Sequence, residues 1–418
     1  MASKVKRGRF REKRLHADMP TWVREALRLN RPRFLRQIKK LASSAHPQLP
    51  QTRKHEPKRI KVLWLAPSFF PKVGGLEIYN EKLVESLANL CDLGLVTRAG
   101  QWFPGDTCMS QFTVSPTQPG GVNAWQVADE LADIVSSFAP DVVHLGGAHV
   151  APLRCVIPES IPVLATVHGN DITFEKRDLR ARDSATRAEA VNTCAHVFAV
   201  SEHTACLCRE WGITAPISVV TAGCDFEFFR PWPALGRQAR EWFQLPDDVP
   251  MILTVGRLVW GKGHLCLLEA IRHLDYPVHW VVAGDGPYRE ELIRAITDLN
   301  MTDQVSLVGD VFDDDLLALY NACDLFVLAP EKRRFDDGRI YAESFGLVLL
   351  EAAACGKPVI STSDSGCRDA VVDGGTGILL PASDPLRLSR AIEFLLTNSD
   401  VAREFGLAGC IFVRASGG

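Results

Sequence analysis

Between Ile60 and Leu380 the chain repeats one pattern, a short apolar run, a turn, and then an amphipathic stretch. Apolar runs of this length without polar alternation read as strands buried on both faces, which is the environment of a parallel sheet covered by helices. Ile60 to Ala66, Asp141 to Leu145, Val163 to Val167, Val197 to Val200 and Ile217 to Val220 form a first series. Met251 to Val255, Val278 to Ala283, Val305 to Val308, Leu325 to Leu328, Pro358 to Ser361 and Gly377 to Leu380 form a second. Two series of similar length predict an α/β chain with two Rossmann-like, doubly wound domains, 59–235 and 236–418, joined near Pro231 to Pro250. In such sheets ligands bind outside the carboxyl ends of the strands, so the loops that follow strands carry the candidate chemistry.

Charge is unevenly spread. Residues 1–59 hold 18 Lys or Arg against 4 Asp or Glu, and the remainder holds 29 against 46. Residues 1–58 therefore read as a basic extension on an acidic body, either a solvated tail or a segment facing an anionic membrane surface; no specific nucleic acid is expected. No run approaches the length needed to cross a bilayer, and no apolar core of a secretory signal follows the basic start, so a cytoplasmic location is expected, peripheral at the membrane if the extension binds lipid. The twelve cysteines are scattered without CxxC spacing, which fits reduced thiols rather than zinc or redox chemistry.

The segment Glu343 to Glu351, ESFGLVLLE, places two acids eight apart around a glycine turn, before a stretch of strong helix formers. Glu351 falls two turns into an apolar helix, where an unpaired carboxylate is costly. A vicinal diol such as a nucleotide ribose would satisfy it. Gly346 and the N–H of Leu347 open that helix, and a glycine there allows close approach of a diphosphate to the helix N-terminus. Glu343 would then reach the sugar beyond the phosphates. The plain structural alternative is a capping carboxylate and a helix-surface glutamate.

The stretch Val255 to Gly263, VGRLVWGKG, follows a strand and opens a helix, placing Arg257 and Lys262 in one post-strand loop. An Arg clamps phosphate bidentately and a Lys adds a point charge, so both suit the diphosphate; a solvated pair of loop cations is the alternative. Gly74 and Gly75, after the first strand, offer another close approach to phosphate. His168, in THGND, ends a strand on the same edge, as a catalytic or a structural histidine. Gly284-Asp285-Gly286-Pro287 fails the dinucleotide fingerprint because Arg289 stands at its third glycine position. Asp313 to Asp315 reads as charge complementing a helix N-terminus, and no metal is predicted.

These residues together resemble the retaining GT-B glycosyltransferases of family four, the large group related to glycogen synthase and the mannosyltransferases. The resemblance covers about Ile60 to Thr397 and rests on five landmarks in order: Gly74-Gly75, HGND, GRLVWGKG, AGDGPYREEL and the E-x7-E motif. It implies two domains facing a central cleft, with Glu351 on the donor ribose, Glu343 on the transferred sugar, Arg257 and Lys262 on the diphosphate, and His168 near the reacting sugar. It also implies hexosyl transfer from a GDP- or UDP-sugar to a hydroxyl of a glycan, lipid-linked glycan or glycoconjugate, with retention, without metal and with no cofactor. Three departures stand out. Thr221 to Asp225, TAGCD, lacks the family's Asn-Gly pair; the loop Glu331 to Ala342, EKRRFDDGRIYA, is long and charged; and the chain stops at CIFVRASGG, where the family continues with helices that cross back, so a truncated end is expected. A GT-B sugar-nucleotide epimerase and a catalytically inactive sugar-nucleotide binding subunit are the alternative functions.

Overall fold

The structure is a computed structural model; it describes residues 59–416 apart from 67, 70–73, 102, 104–108, 115–126, 174–180 and 337–338. The basic extension 1–58 lies outside the described residues. The chain divides into two compact units. Among the described residues, the first comprises 59–222 and 332–345, and the second 223–331 and 346–416.

The first unit carries β1 (Lys61–Leu65), β2 (Asp92–Arg98), β3 (Ser110–Val114), β4 (Val142–Leu145), β5 (Val163–Val167), β6 (His196–Ala199) and β7 (Ile217–Val219). They form one parallel sheet in the order β3-β2-β1-β4-β5-β6-β7. Strand alternation sends β1 side chains to both faces. Leu63 and Leu65 join a core with Val143, Leu145, Val163 and Ala165, whereas Trp64 packs with Val84, Leu93 and Leu95 on the other side. The helix Gly75–Leu90 covers that second face through Val84 and Ala88.

Two strands of this sheet were not read from the sequence. β2 contains Gly94, which reads as a break in a strand. A Cβ there would sit 2.9 Å from a Leu63 methyl and 3.0 Å from the Phe138 ring, so the missing side chain is filled by neighbours. β3, SQFTV, offers no apolar run because it is the edge strand and its residues are mostly exposed.

The second unit begins after Ala222, upstream of the 235/236 division drawn from the sequence. The helix Pro233–Trp242 belongs to it: Trp232 N donates to Asn321 Oδ1 at 2.5 Å, and Arg240 donates to the Ala322 carbonyl and to Asp324 Oδ2. Its strands are β8 (Met251–Val255), β9 (His279–Ala283), β10 (Val305–Gly309) and β11 (Leu325–Val327). After β11 the chain passes to the first unit as an antiparallel ribbon, β12 (Arg333–Arg334) and β13 (Ile340–Tyr341), within the charged loop noted in the sequence. It then resumes the second unit with β14 (Val359–Thr362) and β15 (Gly377–Leu380). The parallel order β10-β9-β8-β11-β14-β15 again reverses beside its first strand, as in the first sheet. The helix Ser399–Ser416 packs on the helix Leu347–Ala354, and Cys410 Sγ meets the Ala353 and Ala354 carbonyls at 3.4 and 3.2 Å.

The loops after β8 and β9 lie directly against each other. Gly256 N donates to the Ala283 carbonyl and Leu258 N to that of Asp285, both at 2.9 Å. Gly284 adopts φ +135°, and a Cβ on it would fall 2.1 Å from the Gly256 carbonyl oxygen. The GDGP motif is therefore a backbone-to-backbone seat for the GRLVWGKG loop. Gly284→Ala should destabilise the second unit by about 2 kcal/mol or more through combined strain and overlap. Urea unfolding followed by tryptophan emission checks this; wild-type stability would contradict the close packing.

Candidate functional site

The candidate residues fall into two sets, one in each unit. The E-x7-E motif is itself divided, since Glu343, Ser344 and Phe345 belong to the first unit and Gly346 to Glu351 to the second.

In the first unit, β5 ends at Val167 and delivers His168 into a tight turn. Asp171 builds that turn, accepting from the backbone N–H of His168 at 3.0 Å and of Ala148 at 2.8 Å. His168 Nε2 lies 3.1 Å from the Gly146 carbonyl, an acceptor only, so this nitrogen carries the proton and donates. The Tyr79 ring meets the imidazole edge to face at 5.0 Å. Burial pulls the His168 pKa below its ordinary value against the opposing effects of Asp171, the Gly146 carbonyl and Glu77, so the ring is neutral at pH 7.

The segment before Gly346 is tied to this turn. Ser344 Oγ donates to the His168 carbonyl, and Thr173 Oγ1 donates to the Ile340 carbonyl at 2.7 Å. Ala342 N makes a longer contact with Asn170 Oδ1, at 3.4 Å. His168 and the neighbour of Glu343 are thus brought together within one unit. Gly74 is the extended residue preceding the helix Gly75–Leu90. A Cβ on Gly74 would lie 2.7 Å from Glu77 Oε2, whereas one on Gly75 would meet nothing within 4 Å. Glu77 is buried and accepts from Ser68 Oγ at 2.5 Å.

In the second unit, β8 ends at Val255, and the loop Gly256 to Gly263 leads into the helix His264–Arg272. Arg257 is exposed, and Lys262 folds back so that its Nζ would be 3.9 Å from a Cβ on Gly256. Gly346 adopts φ +86° and starts the helix Leu347–Ala354, whose first backbone N–H groups, that of Leu347 included, have no acceptor within the helix. Glu351 is half-buried, and its Oε2 accepts from the Tyr320 hydroxyl at 2.6 Å. Burial pushes the Glu351 carboxyl up to about 7, partly offset by that hydrogen bond. Tyr320 itself is fully buried, edge to face with Phe229 at 5.7 Å, and its own pKa is held well above the ordinary value by burial and by Glu351.

Sequence reasoning missed Tyr320. The available signal was a tyrosine inside the apolar stretch LLALYNACDLF, since a buried phenol needs a partner for its hydroxyl. It also missed His264, directly after Lys262-Gly263. That ring is buried with neither nitrogen hydrogen-bonded, and burial, reinforced by Lys262, pushes its pKa down to about 4. Among the described residues, no three His, Cys, Asp or Glu side chains cluster as metal ligands, and Asp313 to Asp315 open the helix Asp313–Ala322.

Two Rossmann-like parallel sheets, each with glycine-bearing loops after its strands, are the architecture of the nucleotide-sugar glycosyltransferases of the GT-B class. Residues 73–228 match the family described as Glycosyltransferase Family 4, and residues 237–409 match Glycosyl transferases group 1. The chain belongs to this glycosyltransferase family. A GDP-mannose-dependent alpha-(1-6)-phosphatidylinositol monomannoside mannosyltransferase of Mycobacterium tuberculosis is 26% identical over 373 residues, covering 85% of this chain and 94% of the relative. A lipopolysaccharide core biosynthesis glycosyltransferase of Rhizobium meliloti is 31% identical over 156 residues, 37% of this chain and 42% of that protein. Among solved structures, Anabaena HepE in complex with UDP and glucose superposes with a TM-score of 0.71 at 19% identity, covering 85% of this chain and 94% of that one. Sucrose-phosphate synthase from Thermosynechococcus elongatus gives the same TM-score and coverage at 22% identity.

The Tyr320 hydrogen bond favours the charged form of Glu351, so Tyr320→Phe should move the Glu351 titration midpoint above about 7. Carbon-13 NMR of labelled glutamate carboxyls reads it; an unchanged or lowered midpoint would contradict the bond. The stability sign follows from the raised folded pKa. Between the ordinary glutamate value near 4.5 and about 7, the folded chain keeps a proton that the unfolded chain releases, so this group's contribution to stability declines as pH rises through that window.

Proposed function

We propose that the enzyme transfers a hexose from a nucleotide sugar to a hydroxyl acceptor with retention of configuration, without a metal ion or other cofactor. The observation that carries this reading is Glu351, half-buried in an apolar helix and tethered by Tyr320 through one oxygen, which leaves the other to accept from a ribose diol. The N–H groups of Gly346 and Leu347 at the start of the same helix take the diphosphate, with Arg257 and Lys262 as its cations. Gly74 and Gly75 admit phosphate or sugar near the backbone of the first unit. Glu343 contacts the transferred sugar, and neutral His168 sits beside the reacting carbon, in the unit that also holds the acceptor.

The chemistry asks for no enzymic nucleophile. The acceptor oxygen forms its bond to the anomeric carbon on the face from which the diphosphate departs. The carbon–oxygen bond to phosphate breaks with its electron pair going to the phosphate oxygen. That oxygen then takes the proton of the acceptor hydroxyl, while Arg257 and Lys262 stabilise the charge that develops on it. Glycosidases that retain configuration instead pair a nucleophilic carboxylate with an acid/base. GDP-mannose and a phosphoinositol-linked acceptor are the first pair to assay, in view of the named activity of the mycobacterial relative. No helix among the described residues is long and apolar enough to cross a membrane; a cytoplasmic enzyme reaching lipid-linked acceptors at the membrane surface through residues 1–58 fits the charge distribution.

A thermal-shift panel of GDP, UDP and ADP with their sugars should single out one base, and Glu351→Gln should remove most of that shift and lower transfer by on the order of a hundredfold. Product NMR should show the donor's anomeric configuration, and EDTA should leave the rate unchanged. Full turnover by Glu351→Gln would remove that residue from the site, an inverted product would overturn retention, and loss of rate in EDTA would overturn metal independence.

A further inference from the structure

The turn that carries His168 also seats the segment leading to Glu343. Along that segment burial alternates, with Ile340 and Ala342 buried and Tyr341 and Glu343 partly exposed. An extended chain sends successive side chains to opposite sides, so Glu343 stands away from the side that packs on the turn. The packed side is held by hydrogen bonds. The Thr173 hydroxyl donates to the Ile340 carbonyl at 2.7 Å, and the Ser344 hydroxyl donates to the His168 carbonyl. Ala342 N lies 3.4 Å from Asn170 Oδ1, and β13 packs on the short helix Asn170–Thr173. Thr173 is 1% exposed, and its single hydroxyl proton is shared with the Gly169 carbonyl at 3.1 Å.

The turn has its own anchors, in which the segment takes no part. Asp171 accepts from the backbone of His168 and Ala148, and Arg187 donates to the Asp171 carbonyl. The turn is therefore the support and the segment the supported part. Removing the Thr173 hydroxyl takes away the partner of the Ile340 carbonyl in the interior, at the full cost of a buried polar group left bare. We propose that Thr173 and Ser344 are positioning residues for Glu343, acting on recognition of the transferred sugar through that acid. The residues assigned to ribose and diphosphate, Arg257, Lys262, Gly346, Leu347 and Glu351, all belong to the second unit, whereas Thr173, Glu343 and Ser344 belong to the first. The tie therefore acts on the sugar and spares the nucleotide. The proposal rests on the glycosyltransferase reading for the role of Glu343, whereas the tie itself does not.

The test compares two affinities of the full chain by calorimetry, for GDP-mannose and for GDP, with UDP-glucose and UDP as a second pair. Thr173→Val removes the hydroxyl with little change of shape. It should weaken the sugar nucleotide by on the order of tenfold and leave its nucleoside diphosphate unchanged, and Thr173→Ser should restore binding. Ser344→Ala should act in the same direction and serves in its place should Thr173→Val fail to fold. Because the effect passes through Glu343, Thr173→Val should add nothing to Glu343→Gln. Hydrogen exchange of the Ala342 amide should be faster in Thr173→Val than in the wild type, with or without ligand. Equal weakening of sugar nucleotide and diphosphate, no weakening of either, or full additivity with Glu343→Gln would overturn the positioning role. Unchanged exchange at Ala342 would overturn the tie. A wild-type chain that binds none of these nucleotides, while Thr173→Val still releases exchange at Ala342, would leave the tie standing and overturn the glycosyltransferase reading instead.

Discussion

The hydrogen bond from Tyr320 to Glu351 is the interaction that sets the state of the one acid inside an apolar helix of the second unit. A carboxylate in LVLLEAAA has no polar neighbour in its own helix, and placing it there without a partner would favour its neutral form. One hydroxyl from the helix Asp313–Ala322 supplies a charge-favouring contact from the interior, while the Glu351 side chain keeps access to solvent. The phenol in turn is fixed by aromatic contacts with Phe229 and Phe326, each at 5.7 Å. The orientation of one acid is therefore set by the packing of three aromatic rings or helices around it, and a change at Phe229 or Phe326 would act on Glu351 through Tyr320 rather than directly.

The first unit solves its positioning problem through backbone. The His168 turn carries its own internal acid, Asp171, and the incoming segment is held by side chains acting on carbonyls: Ser344 on His168 and Thr173 on Ile340. Because these bonds bridge residues 167 and 176 positions apart, the placement of Glu343 is a property of the folded unit and not of the E-x7-E spacing. The ribbon β12 and β13, which lies in the long charged loop noted in the sequence, is the element that brings this segment in. Its arginines 333 and 339 lie over the Phe335 ring at 5.0 and 5.1 Å, so part of its charge is spent on stacking.

Much of this architecture was legible in the sequence, for physical reasons that also explain the misses. Strands buried on both faces, such as Val163–Val167 and Met251–Val255, are apolar but for one buried threonine each, and their limits coincide with the runs in the chain. β2 and β3 lack that signature because a glycine makes room for Leu63 and Phe138 in one, and solvent covers the edge in the other. Arg257, Lys262, Gly346 and Glu351 were visible because turns, cations and an isolated acid are local departures from an apolar pattern. Tyr320 and the Ser344 bond were not, since each takes its meaning from a partner distant in sequence.

The polar atoms left without partners follow the same geography. In the first unit they include both amide atoms of Asn80, Arg98 Nε, His149 Nδ1 and Trp64 Nε1, of which Trp64 Nε1 and Asn80 Oδ1 stand beside Gly146; in the second they include both nitrogens of His264. Buried polar groups in folded proteins are nearly always satisfied, so these exceptions call for an account, and Trp64 Nε1 and Asn80 Oδ1 share one because both stand beside Gly146. Gly146 shows that the arrangement is built in: a Cβ there would lie 2.8 Å from Trp64 Nε1 and 3.0 Å from Asn80 Oδ1, so the backbone has been kept bare where these groups meet. The edge beside β1, β4 and β5 is also where His168 turns back to the Gly146 carbonyl. A buried polar group left bare at that edge costs stability unless a water or another bound molecule answers it.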